Sequence, residues 1–388
     1  MIRRLQNELI LRASAVFTLT LIAAQPSFCV ADISTGWQLV REVPSPHPAL
    51  NMFGVRVGVH SGMVVASAVS TGNDPYFYSG SAFTFSSMGS DYPLELLPIG
   101  RPEENAFLYT AISASRVLIG DDEDPNPTTG AAYLFDRATG AQIARLTAPD
   151  GIGGRDFWFG QDVALTPQYA VVLAAGFQAG GAYVYDAENG NFVRKLVAGP
   201  APFRPTSMDA ETTLALVGTI NTESAHLIHI ETGALLKSFV NPFPAADDLF
   251  GIDVALGKQY AAVSSRHSGS GSQGGLVSVF NLESGMLSYS IEGNAFQHSS
   301  IDIDGRFLIL GAPFQSSTPT RIFDLPSGDL LAELPHAETV AIHGRMAVLG
   351  QDRSVLVYML IPEPGGFALA TVCIACCYLW PISRCGRR

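Results

Sequence analysis

Eight histidines, five cysteines and a modest number of acids are the side chains in this chain that could do chemistry, and their spacing removes most of the options. His226 and His229 stand three apart in an alternating stretch, so on a strand they face opposite ways and cannot share one ion. Ser264-Ser265-Arg266-His267 brings a hydroxyl and an imidazole together by adjacency alone, at the edge of a Gly/Ser-rich stretch that reads as loop. Cys373-x-x-Cys376-Cys377 has a metal or redox spacing, yet it sits in an apolar run without His or acidic partners. No Gly-x-Ser-x-Gly, His-Glu-x-x-His or P-loop is present, and no catalytic residue is assigned. That leaves the acids. Asp121, Asp122 and Asp124 lie close enough together to be weak candidate ligands for a metal, calcium if any. Asp162 and Asp253 occupy the same place in Phe-Gly-Gln-Asp-Val-Ala-Leu and Phe-Gly-Ile-Asp-Val-Ala-Leu. Recurrence at one register marks a structural role, and each buried carboxylate is expected to find a backbone donor.

Those two heptapeptides belong to a repeat that runs along most of the chain. Two apolar residues, Asp or a substitute, three residues and then Gly recur at Asp136 with Gly140 and at Asp186 with Gly190. The same pattern returns at His229 with Gly233, Asn281 with Gly285, and Asp324 with Gly328. Each is followed by an alternating stretch such as Gln142 to Leu146 or Phe192 to Leu196. Strand, Asx-type turn, Gly at positive φ and strand together describe a hairpin. Two further apolar stretches precede each hairpin, so a unit of about 45 to 50 residues holds four strands, which is a β-propeller blade.

Counting units gives a divergent first blade from Phe53 to near Leu97, then units near 105–147, 156–197, 205–240, 248–291 and 298–334. A seventh unit begins at Thr339 and stops after its third strand, Val355 to Leu360. Its missing fourth strand is at the other end of the chain, where Asp32 to Gly36 repeats the turn and Trp37 to Val43 supplies the strand. The predicted fold is therefore all-β, a seven-bladed β-propeller over 32–361 whose N-terminal strand closes the last blade. An open β-solenoid is the alternative, but it has no need of complementary ends.

The two ends read as addresses. Residues 1–31 have a basic start with Arg3, Arg4 and Arg12, an apolar centre, and small residues at Cys29-Val30-Ala31, which is the build of a secretory signal peptide cut after Ala31. Residues 362–388 run from Pro362-Glu363-Pro364 through an apolar stretch to Arg384, Arg387 and Arg388, a breaker, a marginal hydrophobic sorting helix and a basic stop. The chain has a net charge of −12, and with so many of its arginines in the ends the body is more acidic still. Nucleic acid needs a basic footprint, so it is excluded as a partner.

The C-terminal order of motif, apolar run and Arg cluster resembles the PEP-CTERM sorting signal of bacterial exopolysaccharide-associated proteins. The resemblance implies processing by an exosortase-like enzyme, with membrane contact through this segment beforehand; a plain membrane anchor is the alternative. Phe53-Gly54, Phe159-Gly160 and Phe250-Gly251, with Gly311-Ala312-Pro313, resemble the FG-GAP repeat of integrin-like propellers. No blade carries the Asp-x-Asp-x-Asp-Gly calcium loop of that family, so its calcium-dependent adhesion is not carried over, and no cofactor is assigned.

These readings point to a protein exported to the cell surface, outer envelope or extracellular matrix. Its expected role is non-enzymatic contact with exopolysaccharide or protein. In a propeller, the loops between second and third strands share one side with the connections between blades. Tyr76, Asp156, Phe157 and Trp158 fall in those connections and make up the candidate contact face, with Asp74, Asp150, Asp247 and Asp248 among them. The alternative is an extracellular polysaccharide lyase or glycosidase with carboxylates at the channel mouth; a pair of acids from different blades with shifted titration would favour it.

Overall fold

The computed structural model describes residues 36–47, 52–71, 78–98, 108–122, 130–150, 158–176, 180–197, 204–244, 248–266, 275–292, 300–311, 318–351 and 353–362. The signal-peptide stretch 1–31 lies outside the described residues. So does the C-terminal segment from Glu363 and Pro364 onward; Pro362 is the last described residue. Among the described residues no helix is long and apolar enough to cross a membrane.

Seven four-stranded antiparallel sheets form the unit Gly36–Pro362. Six take four consecutive strands each. The seventh pairs the first strand of the chain, Gly36–Pro44, with the last, Ser354–Ile361. Gly36 stands opposite Ile361 and Pro44 opposite Ser354, with a bulge between Leu39 and Arg41. The ring is closed as the complementary ends predicted, and the last sheet is spared a bare edge.

Numbering blades from the first inner strand, the inner strands are Met52–His60, Leu108–Ile112, Phe159–Leu165, Ser207–Glu211, Val254–Leu256, Ile301–Asp304 and Thr339–His343. Apolar residues of one blade pack on those of the next, so the core is a set of seams. Phe53, Phe83 and Phe85 of blade 1 meet Val348, Val355 and Val357 of blade 7. Leu118 and Leu134 of blade 2 likewise meet Phe159 and Tyr183 of blade 3. Burying a side chain of this size stabilises by about 1.5–3 kcal/mol, and both faces of each sheet contribute.

The Phe-Gly pairs have a physical cause at these seams. Phe53, Phe159 and Phe250 are wholly buried. The following glycines carry φ of 87°, 101° and 91°, and their carbonyls press against a glycine in the second strand of the preceding blade. A Cβ on Gly350 would lie 2.0 Å from the Gly54 oxygen, and one on Gly120 or Gly218 would lie 2.2 Å from the oxygen of Gly160 or Gly251. The motif is one half of a close backbone approach, and the other half is a glycine of the preceding blade.

The outer hairpins follow the same local logic. Asp136 Oδ1 accepts the backbone N–H of Thr139 at 2.9 Å, and Asp186 Oδ1 accepts that of Glu188 at 2.7 Å. Gly140 and Gly190 sit at φ of 70° and 76°, which the turn requires. His229, in the Asp place of blade 4, accepts the N–H of Thr232 through Nδ1 at 3.4 Å.

Candidate functional site: the central channel and its two faces

The inner strands surround a cavity of about 1110 Å³ lined from all seven blades. An inner strand has a neighbour on one side only, so every second N–H and C=O along it points into the lumen unpaired. Carboxylates from the adjacent blade take up those donors. Asp162 accepts Val163 N at 2.9 Å through one oxygen and Met208 N of blade 4 at 2.8 Å through the other. Asp253 does the same with Val254 at 3.0 Å and Ile301 of blade 6 at 2.9 Å. The backbone donors expected for these two residues are thus present, and they come from the next blade as well as the same one.

Two more aspartates act in the same way, closer to the turn that ends the inner strand. Asp209 accepts Ala210 N at 2.7 Å and Leu256 N at 2.7 Å, and Asp302 accepts Ile303 N and Ile342 N at 2.7 Å each. Four successive seams, from blade 3 to blade 7, are clamped by one carboxylate each. Asp209 and Asp302 were not legible as equivalents of Asp162 and Asp253, because they fall at a different distance from the turn. Asp209 is two residues before Glu211, which pairs with Leu214 across the turn; Asp162 is four before Thr166, which bonds to Tyr169 across its own. Counting back from that turn would have found them.

These carboxyls are half-buried in the channel wall. Burial is the main cause that raises Asp162 to about 6, Asp302 to about 6 and Asp253 to about 7, with the Asp162 charge adding to Asp253. Burial and then the Asp302 charge push Asp209 well above the usual carboxylate range. Backbone N–H donors pull each of them back, and the Arg56 guanidinium helps for Asp162 and Asp253. Arg56 holds in blade 1 the place that Asp162 holds in blade 3, and it lies over the Tyr109 ring of blade 2 at 4.8 Å. Burial lifts the Tyr109 phenol to about 12.

The antiparallel order makes the two ends of the channel different. Second-to-third strand connections and blade-to-blade connections share one end, and tight turns share the other. At the connection end, Trp158 precedes the inner strand of blade 3 at φ of 44°, and its carbonyl accepts Gln161 N at 3.3 Å. Asp121 is the last residue of the strand Arg116–Asp121 and is buried, with Asp122 half-buried after it. Tyr76, Asp156, Phe157 and Asp124 lie outside the described residues, as do Asp74 and Asp247.

Two acids expected on a solvent-facing rim have side-chain partners. Asp150 accepts the Tyr183 hydroxyl at 2.8 Å and the Lys195 ammonium at 3.0 Å. Asp248 is buried and accepts Asn241 Nδ2 at 3.0 Å. Asp150 stays exposed in making its contacts, whereas packing between blades covers Asp248. No group of three His, Cys, Asp or Glu among the described residues has the geometry to hold a metal.

The turn end is different in kind. The inner strands of blades 1, 4, 6 and 7 finish on His60, Glu211, Asp304 and His343. The His60 and His343 rings stack with centroids 4.3 Å apart at 33°. His343 Nδ1 lies 3.7 Å from Asp304 Oδ2, which also accepts the N–H of Gly344. Burial raises Glu211 above the ordinary range, with Lys258 and His343 opposing and Asp304 adding. Burial lowers His60, assisted by the charges of His343 and Arg137. None of these four residues stood out in the sequence, since none lies in a motif.

No family model matches the chain, and no curated protein does. Among solved structures the chain is similar to the crystal structure of the computationally designed Ika8 protein, at 13% identity and a TM-score of 0.54, over 83% of this chain and 99% of that one. At that identity the likeness concerns the fold alone.

Proposed function

We propose that this chain is an exported, surface-retained propeller whose body makes non-enzymatic contacts with matrix exopolysaccharide or protein. The observation that carries the reading is the use of the repeat carboxylates. Asp162, Asp209, Asp253 and Asp302 each hold two backbone donors, one of them across a seam, so the most conspicuous acids of the channel serve the scaffold. A rigid ring with long connections gathered at one end suits binding, because loops on a fixed frame vary freely.

The ends of the chain support the setting. A signal-peptide build before Asp32 and a PEP-CTERM-like order after Ile361 frame the closed ring, with an exosortase-like enzyme as processing partner. The FG-GAP resemblance agrees with an extracellular contact role. The contact face is assigned to the connection end, around Trp158 and Asp122, with Tyr76, Asp124, Asp156 and Phe157, where acids and aromatics favour calcium-assisted stacking on sugar rings.

Glu211 and Asp304 keep an enzyme as the second reading, because they are acids from different blades at a channel mouth, one of them raised. The test is retention of the mature protein on polysaccharide from the matrix of the producing cell, with calcium and then with chelator. Retention that falls with chelator, and with Asp122→Asn and Asp124→Asn together, supports the reading. Loss of polymer length during incubation, or no retention in either condition, overturns it.

A further inference from the structure

We propose that the turn-end mouth of the channel is a second binding site, one that takes the end of a saccharide chain, with Glu211, Asp304 and His343 as its polar contacts. It rests on the glycan reading above, but it places the ligand at the opposite end of the channel from the connections.

Repeat symmetry singles the place out. The last residue bonded across the turn differs between blades: it is Ser113 in blade 2 and Thr166 in blade 3, whose hydroxyls accept an N–H of their own turn, and Gly257 in blade 5. Blades 4, 6 and 7 instead place a carboxylate, a carboxylate and an imidazole there, and all three line the cavity. The strand N–H groups at the seams of blades 4 to 7 are already taken by Asp209, Asp253 and Asp302. Of Glu211, Asp304 and His343, only Asp304 also accepts a hydrogen bond across a seam among the described residues, from the turn residue Gly344. Asp304 is fixed in place by the Gly344 N–H and the neighbouring His343. The His60 ring backs His343, and the His60 carbonyl is itself held by Arg137 Nη1 at 3.1 Å. His60 Nδ1 is buried without a hydrogen-bond partner among the described residues.

The ligand class follows from the donors and acceptors. Two carboxylates accept hydrogen bonds from vicinal hydroxyls, and an imidazole accepts or donates according to its tautomer. Val57, Ala111, Leu165 and Ala210, half-buried along the cavity, give the wall above them an apolar surface that suits the C–H face of a pyranose. A purely apolar ligand would leave the carboxylates unpaired, and an anionic one would be repelled by them. A cavity of about 1110 Å³ is ample for such a chain end. The saccharide would enter end-on, since the mouth is ringed by turns on every side.

Calorimetric titration of the mature protein with glucose, galactose, mannose and their β-linked dimers tests this. The expected result is saturable binding of at least one of them, weakened tenfold or more by Glu211→Gln, by Asp304→Asn and by His343→Ala. Where a variant melts early, the His343 Cε1 proton of the unaltered protein serves instead, and it should shift on saturation with the sugar. Absence of binding, binding indifferent to all three substitutions, or binding of spermidine in place of sugars overturns the proposal. Matrix retention without binding of these sugars removes the mouth site alone. Binding of these sugars without matrix retention removes the contact face alone.

Discussion

Thr339 Oγ1 donates a hydrogen bond to the carbonyl of Gly54 at 2.6 Å, tying blade 7 to blade 1 across 285 residues of chain. Ser207 Oγ donates to the carbonyl of Gly251 at 2.9 Å in the same way between blades 4 and 5. A hydroxyl at the start of one inner strand therefore holds the Phe-Gly carbonyl of the next blade, against a glycine that leaves room for it.

Gly350→Ala should be among the most damaging small changes in the chain. The new methyl would meet the Gly54 oxygen at 2.0 Å, where backbone has to move on both sides of the closing seam. A loss of at least about 3 kcal/mol is expected by denaturant unfolding. Gly344→Ala, which meets nothing within 4 Å at φ of 60°, should cost only about 1 kcal/mol. Equal losses for the two would show that the close approach is not what the motif provides.

Removing the strand Gly36–Pro44 exposes the edge of blade 7 and takes away Val43 and Trp37, which pack at the seams on either side. A cost on the order of 5 kcal/mol and a fall in melting temperature of roughly 5–10 °C follow. Melting within a degree or two of the intact protein would mean that the ring does not depend on this strand.

The channel carboxyls set a pH dependence of defined sign. Folding raises Asp162, Asp209, Asp253 and Asp302 above their unfolded values, so the folded state binds their protons more tightly. Their contribution to stability is fully present below about pH 4 and is lost as pH rises through about 6 to 7. Asp136, Asp150 and Asp324, held low by hydrogen bonds and neighbouring cations against the effect of burial, act in the opposite sense: their contribution is full above the unfolded carboxylate value and is lost as pH falls below it through their depressed folded values. Thermal melts should therefore peak near about pH 4 and decline toward about pH 7. A maximum at or above pH 7.5 would show that the channel carboxyls ionise without cost.

Asp302→Ala leaves the N–H groups of Ile303 and Ile342 without their acceptor at the seam between blades 6 and 7. The expected loss is about 1–3 kcal/mol, with the decline between about pH 4 and 6 made shallower because one of the raised groups is gone. A loss with an unaltered pH profile would assign Asp302 a packing role only.

The fold was legible because its signals are local. Asp-x-x-x-Gly with Gly at positive φ forces the outer hairpin wherever it occurs, and the substitution of His229 and Asn281 for Asp keeps an acceptor in place. Trp37 to Val43 could be placed in blade 7 because a four-strand unit lacked its last member. The channel was much less legible. Asp209 and Asp302 clamp seams from a different register than Asp162, and Glu211, Asp304 and His343 converge only once the ring brings together strands far apart in sequence. Asp150 and Asp248 looked like free rim acids, yet Tyr183, Lys195 and Asn241 reach them through packing that sequence does not display.

Intact-mass analysis of the native protein, with sequencing of both termini and fractionation of membrane from medium, bears most directly on the claim that an exported chain is trimmed to leave a closed ring at the cell surface. The expected result is a mature N-terminus at Asp32, so that the closing strand becomes the start of the chain, and a C-terminus cut near Pro362-Glu363-Pro364. An unprocessed chain of 41.2 kDa running from Met1 to Arg388 and recovered from inside the cell would contradict it.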